Sequence, residues 1–163
     1  MSSESANTDP LPDELHEHVE RFSLVFERFG FQRMGGRMFA LMLLSDKEMF
    51  TQAELAENLQ ASTGSVSTMT RLLEQLGFVE RVSLPGHRRD RFRLTPDPLV
   101  EMTIRRLQGG RQMTEIIQAA RDTKQIGPVA DSRLADALSF YEFFIDAMGR
   151  SLEEWRGTLD SPD

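Results

Sequence analysis

The sequence contains no cysteine, which excludes a disulfide framework, a cysteine nucleophile and a thiol redox sensor. A zinc site would have to rely on carboxylates and three histidines. The longest apolar run, residues 38–44, falls far short of the roughly 20 residues that a membrane span requires, so no membrane partner is expected. Enzyme signatures are missing as well: there is no phosphate-binding glycine loop, no GxSxG elbow and no HExxH pair. His16 and His18 flank Glu17, but near a helix end where solvent is the expected neighbour. No catalytic residue, metal or cofactor is expected, and these absences fit a cytoplasmic protein that is not an enzyme. Residues 1–9 are largely Ser, Glu, Asn and Thr, neither a signal peptide nor an anchor, and the first ten residues read as a disordered tail.

What is present suffices for one core. A chain of 163 residues with 39% hydrophobic content can bury one domain with helical extensions. The most strongly punctuated stretch is residues 51–94. Thr51 with Glu54 three residues on, and Phe50 facing Leu55, form a capping box with a hydrophobic staple, so a short helix begins there. Its apolar stripe of Ala53, Leu55, Ala56 and Leu59 ends in a tight turn over residues 60–62, and Ser62 can cap a second helix. That helix runs to about Leu76, where Gly77 takes the left-handed position and Phe78 folds back onto Leu73.

Turning about 100° per residue places Val66, Met69, Thr70, Leu73 and Leu76 on the inner side of this second helix. Gly64, Ser67, Thr68, Arg71 and Gln75 fall outside. A small, polar and basic face suits a recognition helix, which must enter a groove roughly 12 Å wide. Ser62, Thr63, Gly64, Ser65, Ser67, Thr68 and Arg71 are therefore candidate DNA contacts; an ordinary solvated helix face is the bland reading. Residues 79–94 then alternate Val82 and Leu84 against Ser83, and Phe92 and Leu94 against Arg91 and Arg93, around Pro85-Gly86. This is a two-stranded wing. Its tip carries His87, Arg88, Arg89 and Arg91, with Asp90 placed to pair with one arginine, and guanidinium groups suit phosphate and the narrow minor groove.

Charge runs on hairpins often serve only to blunt an edge. Here residues 62–95 hold six arginines against three acidic residues, a net +3 in a chain of −7, so the rest carries −10. Positive charge is concentrated where a nucleic acid would sit. With these pieces in place, the stretch resembles the winged helix-turn-helix of the MarR family of bacterial transcription regulators, and more narrowly its GbsR-type branch. The resemblance rests on Arg33-Met34-Gly35-Gly36-Arg37, on TQAELAENLQASTGSVSTMTRLLEQLGFVERV (residues 51–82) and on LPGHRRDRFRLTP (residues 84–96). It covers roughly residues 30–97. It implies a homodimer on a pseudo-palindromic operator, with the recognition helix in the major groove and wing arginines in the minor groove. Arg33 and Arg37 recur in the resemblance, and DNA phosphate, a tie between elements or plain solvation are all open for them.

The flanks read as helices. From residue 12 to 29, Leu15, Val19, Phe22, Phe26 and Phe29 are spaced four, three, four, three, with Leu24 and Val25 widening the seam. The next segment, residues 34–45, is almost all apolar, and Gly35-Gly36 permits close helix approach or a bend. After the wing, Asp97 and Pro98 start a long helix interrupted by Gly109-Gly110, which suggests a kink or pivot. Past Gly127-Pro128, a last helix carries Leu134, Leu138, Tyr141, Ile145, Met148, Leu152 and Trp155 at alternating spacings of four and three, with Phe140, Phe143 and Phe144 beside them. That is more apolar surface than one partner helix covers. The expected dimer interface is therefore Leu15, Val19, Phe22 and Phe26 with the seam from Leu134 to Trp155, the alternative for the first helix being that it packs on its own chain's core.

The fold expected is mostly α with a small β-hairpin wing: a disordered tail (1–10), an N-terminal dimerisation helix (11–30), a winged helix-turn-helix (31–96), a C-terminal helical dimerisation region (97–158) and a tail (159–163). The function expected is sequence-specific regulation of transcription on double-stranded DNA, repression being the first reading and activation left open, with a small-molecule effector of unassigned identity admitted as a further partner. The aromatic residues of the last helix can also be read as lining for such a ligand. The alternative is a winged helix used only for protein contacts.

Overall fold

A computed structural model describes residues 11–86 and 89–159. Six helices and one hairpin follow in order: α1 (Asp13–Arg28), α2 (Arg33–Leu44), α3 (Gln52–Asn58), α4 (Thr63–Leu76), β1 (Val79–Val82), β2 (Arg91–Leu94), α5 (Pro98–Asp122) and α6 (Pro128–Leu159). The fold is mostly helical with one antiparallel hairpin, a winged helix-turn-helix flanked by long helices. The chain divides into two compact units, one ending at Glu101 and the other beginning at Met102. No helix among the described residues is long and apolar enough to cross a membrane. The N-terminal tail, His87, Arg88 and residues 160–163 lie outside the described residues.

In the first unit the local signals are met by named bonds. Thr51 Oγ1 accepts from the Glu54 amide at 3.3 Å while the Glu54 carboxylate accepts from the Thr51 amide at 2.7 Å. At the other end of the helix pair, Gly77 has φ +83°, and the Phe78 amide donates to the Leu73 carbonyl at 2.9 Å. Phe78 thereby enters the core. Its ring centroid lies 5.0 Å from Phe39 and 5.9 Å from Phe26, and Phe31 closes the cluster at 6.1 Å. Ring pairs of this kind add about 0.5–1.5 kcal/mol beyond the area they bury.

Val19 is 2% exposed and Phe26 packs on Phe39 at 5.2 Å, so both side chains contribute to the unit's own core, as a helix packing within its own chain would have them. A helical period reveals a buried face but not what covers it. What covers this face is α2, at Gly36: a Cβ built there would stand 2.8 Å from Ser23 Cα and from Phe26 Cβ. Gly36 is small because two backbones meet over it. Arg33 and Arg37 strengthen the same contact, with Arg33 Nη2 2.9 Å and Arg37 Nε 2.6 Å from the Glu20 carboxylate. Of the three roles left open for these arginines, the structure supplies the tie between elements. Burial pushes the Glu20 carboxyl up, but the hydrogen bonds and charges of the two arginines outweigh it and hold the group below the ordinary glutamate range.

The sheet holds one feature that the sequence reading lacks. Phe50 bridges Phe92, each amide donating to the other's carbonyl at 2.8 and 2.7 Å, so the wing is rooted in the loop before α3. Strand register pairs Val79 with Leu94, Glu80 with Arg93, Arg81 with Phe92 and Val82 with Arg91. Leu84 lies beyond the paired residues.

The second unit is built on α6 and the part of α5 from Met102 onward. The helix runs unbroken through Gly109-Gly110, and a Cβ at Gly110 would stand 3.4 Å from the Ile145 side chain and 3.8 Å from Tyr141. Gly110 therefore serves close packing against α6 rather than a break in α5. Arg121 Nε binds Asp131 at 2.8 Å across the connection. Tyr141 and Ile145, expected at the dimer seam, are thus engaged by α5 of their own chain. Leu134, Leu138, Met148 and Leu152 are half-buried, whereas Phe140, Phe143 and Trp155 are exposed, Phe143 at 70%.

Candidate nucleic-acid interface

Helix α4, the expected recognition helix, is held by its inner face. Val66, Met69 and Leu73 are buried, and the one inward polar group, the Thr70 hydroxyl, donates to the Val66 carbonyl at 2.6 Å. Ser62 caps the start by accepting from the Ser65 amide at 3.2 Å. With that face committed, Ser62, Thr63, Gly64, Thr68 and Arg71 are left exposed, while Ser65 and Ser67 are half-buried. Gly64 is informative here: a Cβ built on it meets nothing within 4 Å, so no packing inside the chain requires a glycine at that position.

The wing is fixed at its base before it reaches its tip. The Thr95 hydroxyl donates to the Gly77 carbonyl at 2.9 Å and its amide to the Phe78 carbonyl at 3.1 Å, tying the end of β2 to the end of α4. Across the ladder Arg93 Nε lies 2.5 Å from the Glu80 carboxylate. Arg81 is committed further: Nε and Nη2 each donate to a Glu74 oxygen at 3.2 Å, and Nη1 donates to Asp90 at 3.3 Å. Hydrogen bonds to Glu74 come first among the causes that raise the Arg81 pKa, so its charge is permanent. Asp90 thus pairs with an arginine, as expected, and that arginine is Arg81.

Two of the arginines that make this stretch basic are therefore neutralised within the protein. Arg71, Arg89 and Arg91 have no acidic partner among the described residues. Arg71 Nε donates to its own helix at the Ser67 carbonyl, 3.3 Å away, which leaves its terminal nitrogens uncommitted. Ser67 and Arg71 of α4 and Arg89 of the wing come together with Arg81, Thr51 and Gln52 around one open groove of about 500 Å³. Arg91 sits on β2 opposite Val82, outside the residues lining that groove. Ser62, Thr63, Gly64, Ser65 and Thr68 lie toward the N-terminal part of α4 and also do not line it. Sequence reasoning did not single out Thr51 and Gln52 as groove residues. Their place at the start of the first helix of the pair was the available signal.

A helix with a small, polar outer face, set beside a wing whose Arg89 shares a groove with its Ser67 and Arg71, defines a helix-turn-helix regulator in structural terms. A model of the MarR family matches residues 36–90. The HTH-type transcriptional regulator MmpR5 of Mycobacterium tuberculosis (strain ATCC 25618 / H37Rv) is 33% identical over 144 residues, covering 85% of this chain and 87% of that protein. A crystal structure of a transcriptional regulator matches with a TM-score of 0.80 at 28% identity, over 88% of this chain and 99% of the other. TrmBL2, an archaeal chromatin protein, shares the fold with a TM-score of 0.50 at 17% identity, over 66% of this chain and 39% of its own. The chain belongs to the MarR family of transcriptional regulators.

Proposed function

We propose that this regulator binds double-stranded DNA sequence-specifically as a homodimer, and represses transcription by occupying a pseudo-palindromic operator. The observation that carries this reading is the selective pairing of arginines. Arg81 and Arg93 are neutralised by acidic neighbours, while Arg71 and Arg89 share a groove with Ser67 and have none. Unpaired cations beside small polar side chains are what phosphate binding and base-edge reading call for. Two such helices in a dimer would address half-sites about 34 Å apart.

Dimerisation is supported by apolar surface that each unit leaves uncovered: Phe22, Leu24 and Val25 on α1 with Phe29 at its C-cap, and Phe140, Phe143 and Trp155 on α6. Placement in the GbsR-type branch rests on the sequence resemblance, and a cytoplasmic location and a small-molecule effector of unassigned identity belong to the same reading. Fluorescence anisotropy with the DNA upstream of its own gene, titrated with salt and competed with an unrelated duplex, tests it. The expected result is binding that outcompetes the control and weakens steeply with salt, by about 0.9 in log–log slope per phosphate contacted. No binding even at low salt would point instead to a winged helix used for protein contacts.

A further inference from the structure

Glu74 and Asp90 present a contradiction if the groove receives DNA. They are acidic groups on a surface that would face phosphate, and by charge alone they should weaken binding. Both are spent on Arg81. Glu74 engages two of its nitrogens, Asp90 the third, and the remaining Asp90 oxygen accepts from the Ser83 hydroxyl at 3.1 Å. The Arg81 guanidinium also lies over the Phe92 ring, 5.5 Å from its centroid, and Phe92 is the residue that roots the wing on Phe50. One side chain therefore touches the recognition helix, the buried base of the wing and the segment that carries Arg89.

We propose that Arg81 is a positioning residue, which sets the angle of the wing on α4 so that Arg89 is presented to the same groove as Ser67 and Arg71, and which does not itself bind phosphate. The proposal rests on the DNA-binding reading and deepens it. Three of the five guanidinium N–H groups already donate inside the protein, and the charge of Arg81 is more than balanced by Glu74 and Asp90, which leaves it little net attraction to offer a phosphate. The two carboxylates become part of the binding apparatus although they repel the ligand. An arginine is suited to the task because its planar fork spans two carboxylates, which a lysine ammonium cannot do with the same geometry.

The test turns on the sign of an effect. Removing a negative charge beside DNA should tighten binding if Glu74 and Asp90 act only through the field. If they hold Arg81, Glu74→Gln and Asp90→Asn should each weaken operator binding by about threefold to tenfold. In an Arg89→Ala, Arg91→Ala background that weakening should disappear, because the groups being positioned are gone. Arg81→Lys should weaken binding by a similar factor with an unchanged salt slope, whereas a phosphate contact would tolerate lysine. Unchanged or tighter binding by the two carboxylate variants, or weakening that persists without Arg89 and Arg91, would overturn the proposal. Amide hydrogen exchange on the free protein keeps the test independent of DNA binding. Glu74→Gln and Asp90→Asn should speed exchange in β1 and β2 by about threefold or more and leave α1 and α2 unchanged. Wing exchange equal to that of the unmodified protein would reject the positioning role. Failure of the unmodified protein to bind any DNA would reject the functional reading alone.

Discussion

Gly36 of α2 and Phe26 of α1 are in contact at a distance that leaves no room for a side chain on the former, since a Cβ there would stand 2.8 Å from the Phe26 Cβ and equally close to the Ser23 backbone. Gly36→Ala should therefore force α1 and α2 apart and disturb the phenylalanine cluster beneath them. We expect a loss of about 1–3 kcal/mol, the usual cost of overpacking a core, read as a lower midpoint in chemical denaturation. An unchanged midpoint would show that the helices can separate freely.

Gly64 gives the opposite expectation. A Cβ there meets nothing, and glycine inside a helix costs roughly 0.5–1 kcal/mol relative to alanine. Gly64→Ala should raise the melting temperature, while a bulkier Gly64→Leu should leave the fold intact and lower operator affinity at least tenfold by obstructing groove entry. Measured together, melting and anisotropy separate the two effects. If Gly64→Leu bound operator as well as the unmodified chain did, this end of α4 would not be near DNA.

Acid should loosen the first unit through its carboxylates. Burial raises the Glu54 pKa, but hydrogen bonds from Lys47 and Thr51 outweigh it, and the folded value lies below the ordinary 4.5. Glu20 is lowered too, by Arg33 and Arg37 against its own burial. A depressed folded pKa means that ionisation favours the folded state. This contribution is complete above about pH 4.5 and is lost as pH falls through the folded values. Stability measured by urea at stepwise lower pH should decline in that window, and Glu54→Gln should flatten the decline. Thr51→Ala, which removes the other half of the capping box, should cost about 1 kcal/mol at neutral pH.

Across the candidate DNA-binding face, position and charge should be separable. Arg89→Ala and Arg91→Ala should weaken binding on most sequences and shrink the salt slope by about 0.9 each. Ser67→Ala or Thr68→Ala should leave that slope alone and change preference at one base pair by roughly 1–3 kcal/mol. A competition panel of single-base operator variants distinguishes the two patterns. Equal effects of all four substitutions on every duplex would contradict the division of roles.

These expectations differ in how far the sequence alone could supply them. The capping box at Thr51 and the left-handed ending at Gly77 were legible because each is written within about five residues, and the structure realises both. The outer face of α4 was legible for the same reason, since a helix's period fixes which residues share a side. What α1 packs against was not. Val19 and Phe26 have the spacing of a dimer seam, yet Val19 is buried within its own unit and Phe26 packs on Phe39 of α2, and spacing carries no information about the partner. The charge of the wing was legible in total but not in availability. Arg81 reaches Glu74 and Asp90, seven and nine residues away, only because the hairpin folds back onto α4. The Phe50–Phe92 bridge spans a still longer loop closure and left no local mark.

The dimer reading makes a demand on side chains that the monomer does not use. Phe143 is 70% exposed and Phe140 61%, on a helix whose Tyr141 and Ile145 are engaged by α5. Exposed phenylalanines of this size are costly to leave in water, at up to about 3 kcal/mol each. If a second chain covers them, Phe143→Asp buries a carboxylate at the interface and should raise the dimer dissociation constant by at least tenfold. Light scattering behind size exclusion at micromolar protein should then show monomer, with the far-ultraviolet helical signal preserved. Operator affinity should fall in parallel, because one half-site cannot hold what two held. Val19→Asp provides the contrast: Val19 is 2% exposed within its own unit, and the same change of chemistry there should unfold the winged helix outright. A Phe143→Asp protein that remained dimeric would move the interface away from this face of α6 and toward Phe22 and Val25 of α1 and Phe29 at its C-cap, where the corresponding substitutions would test it next.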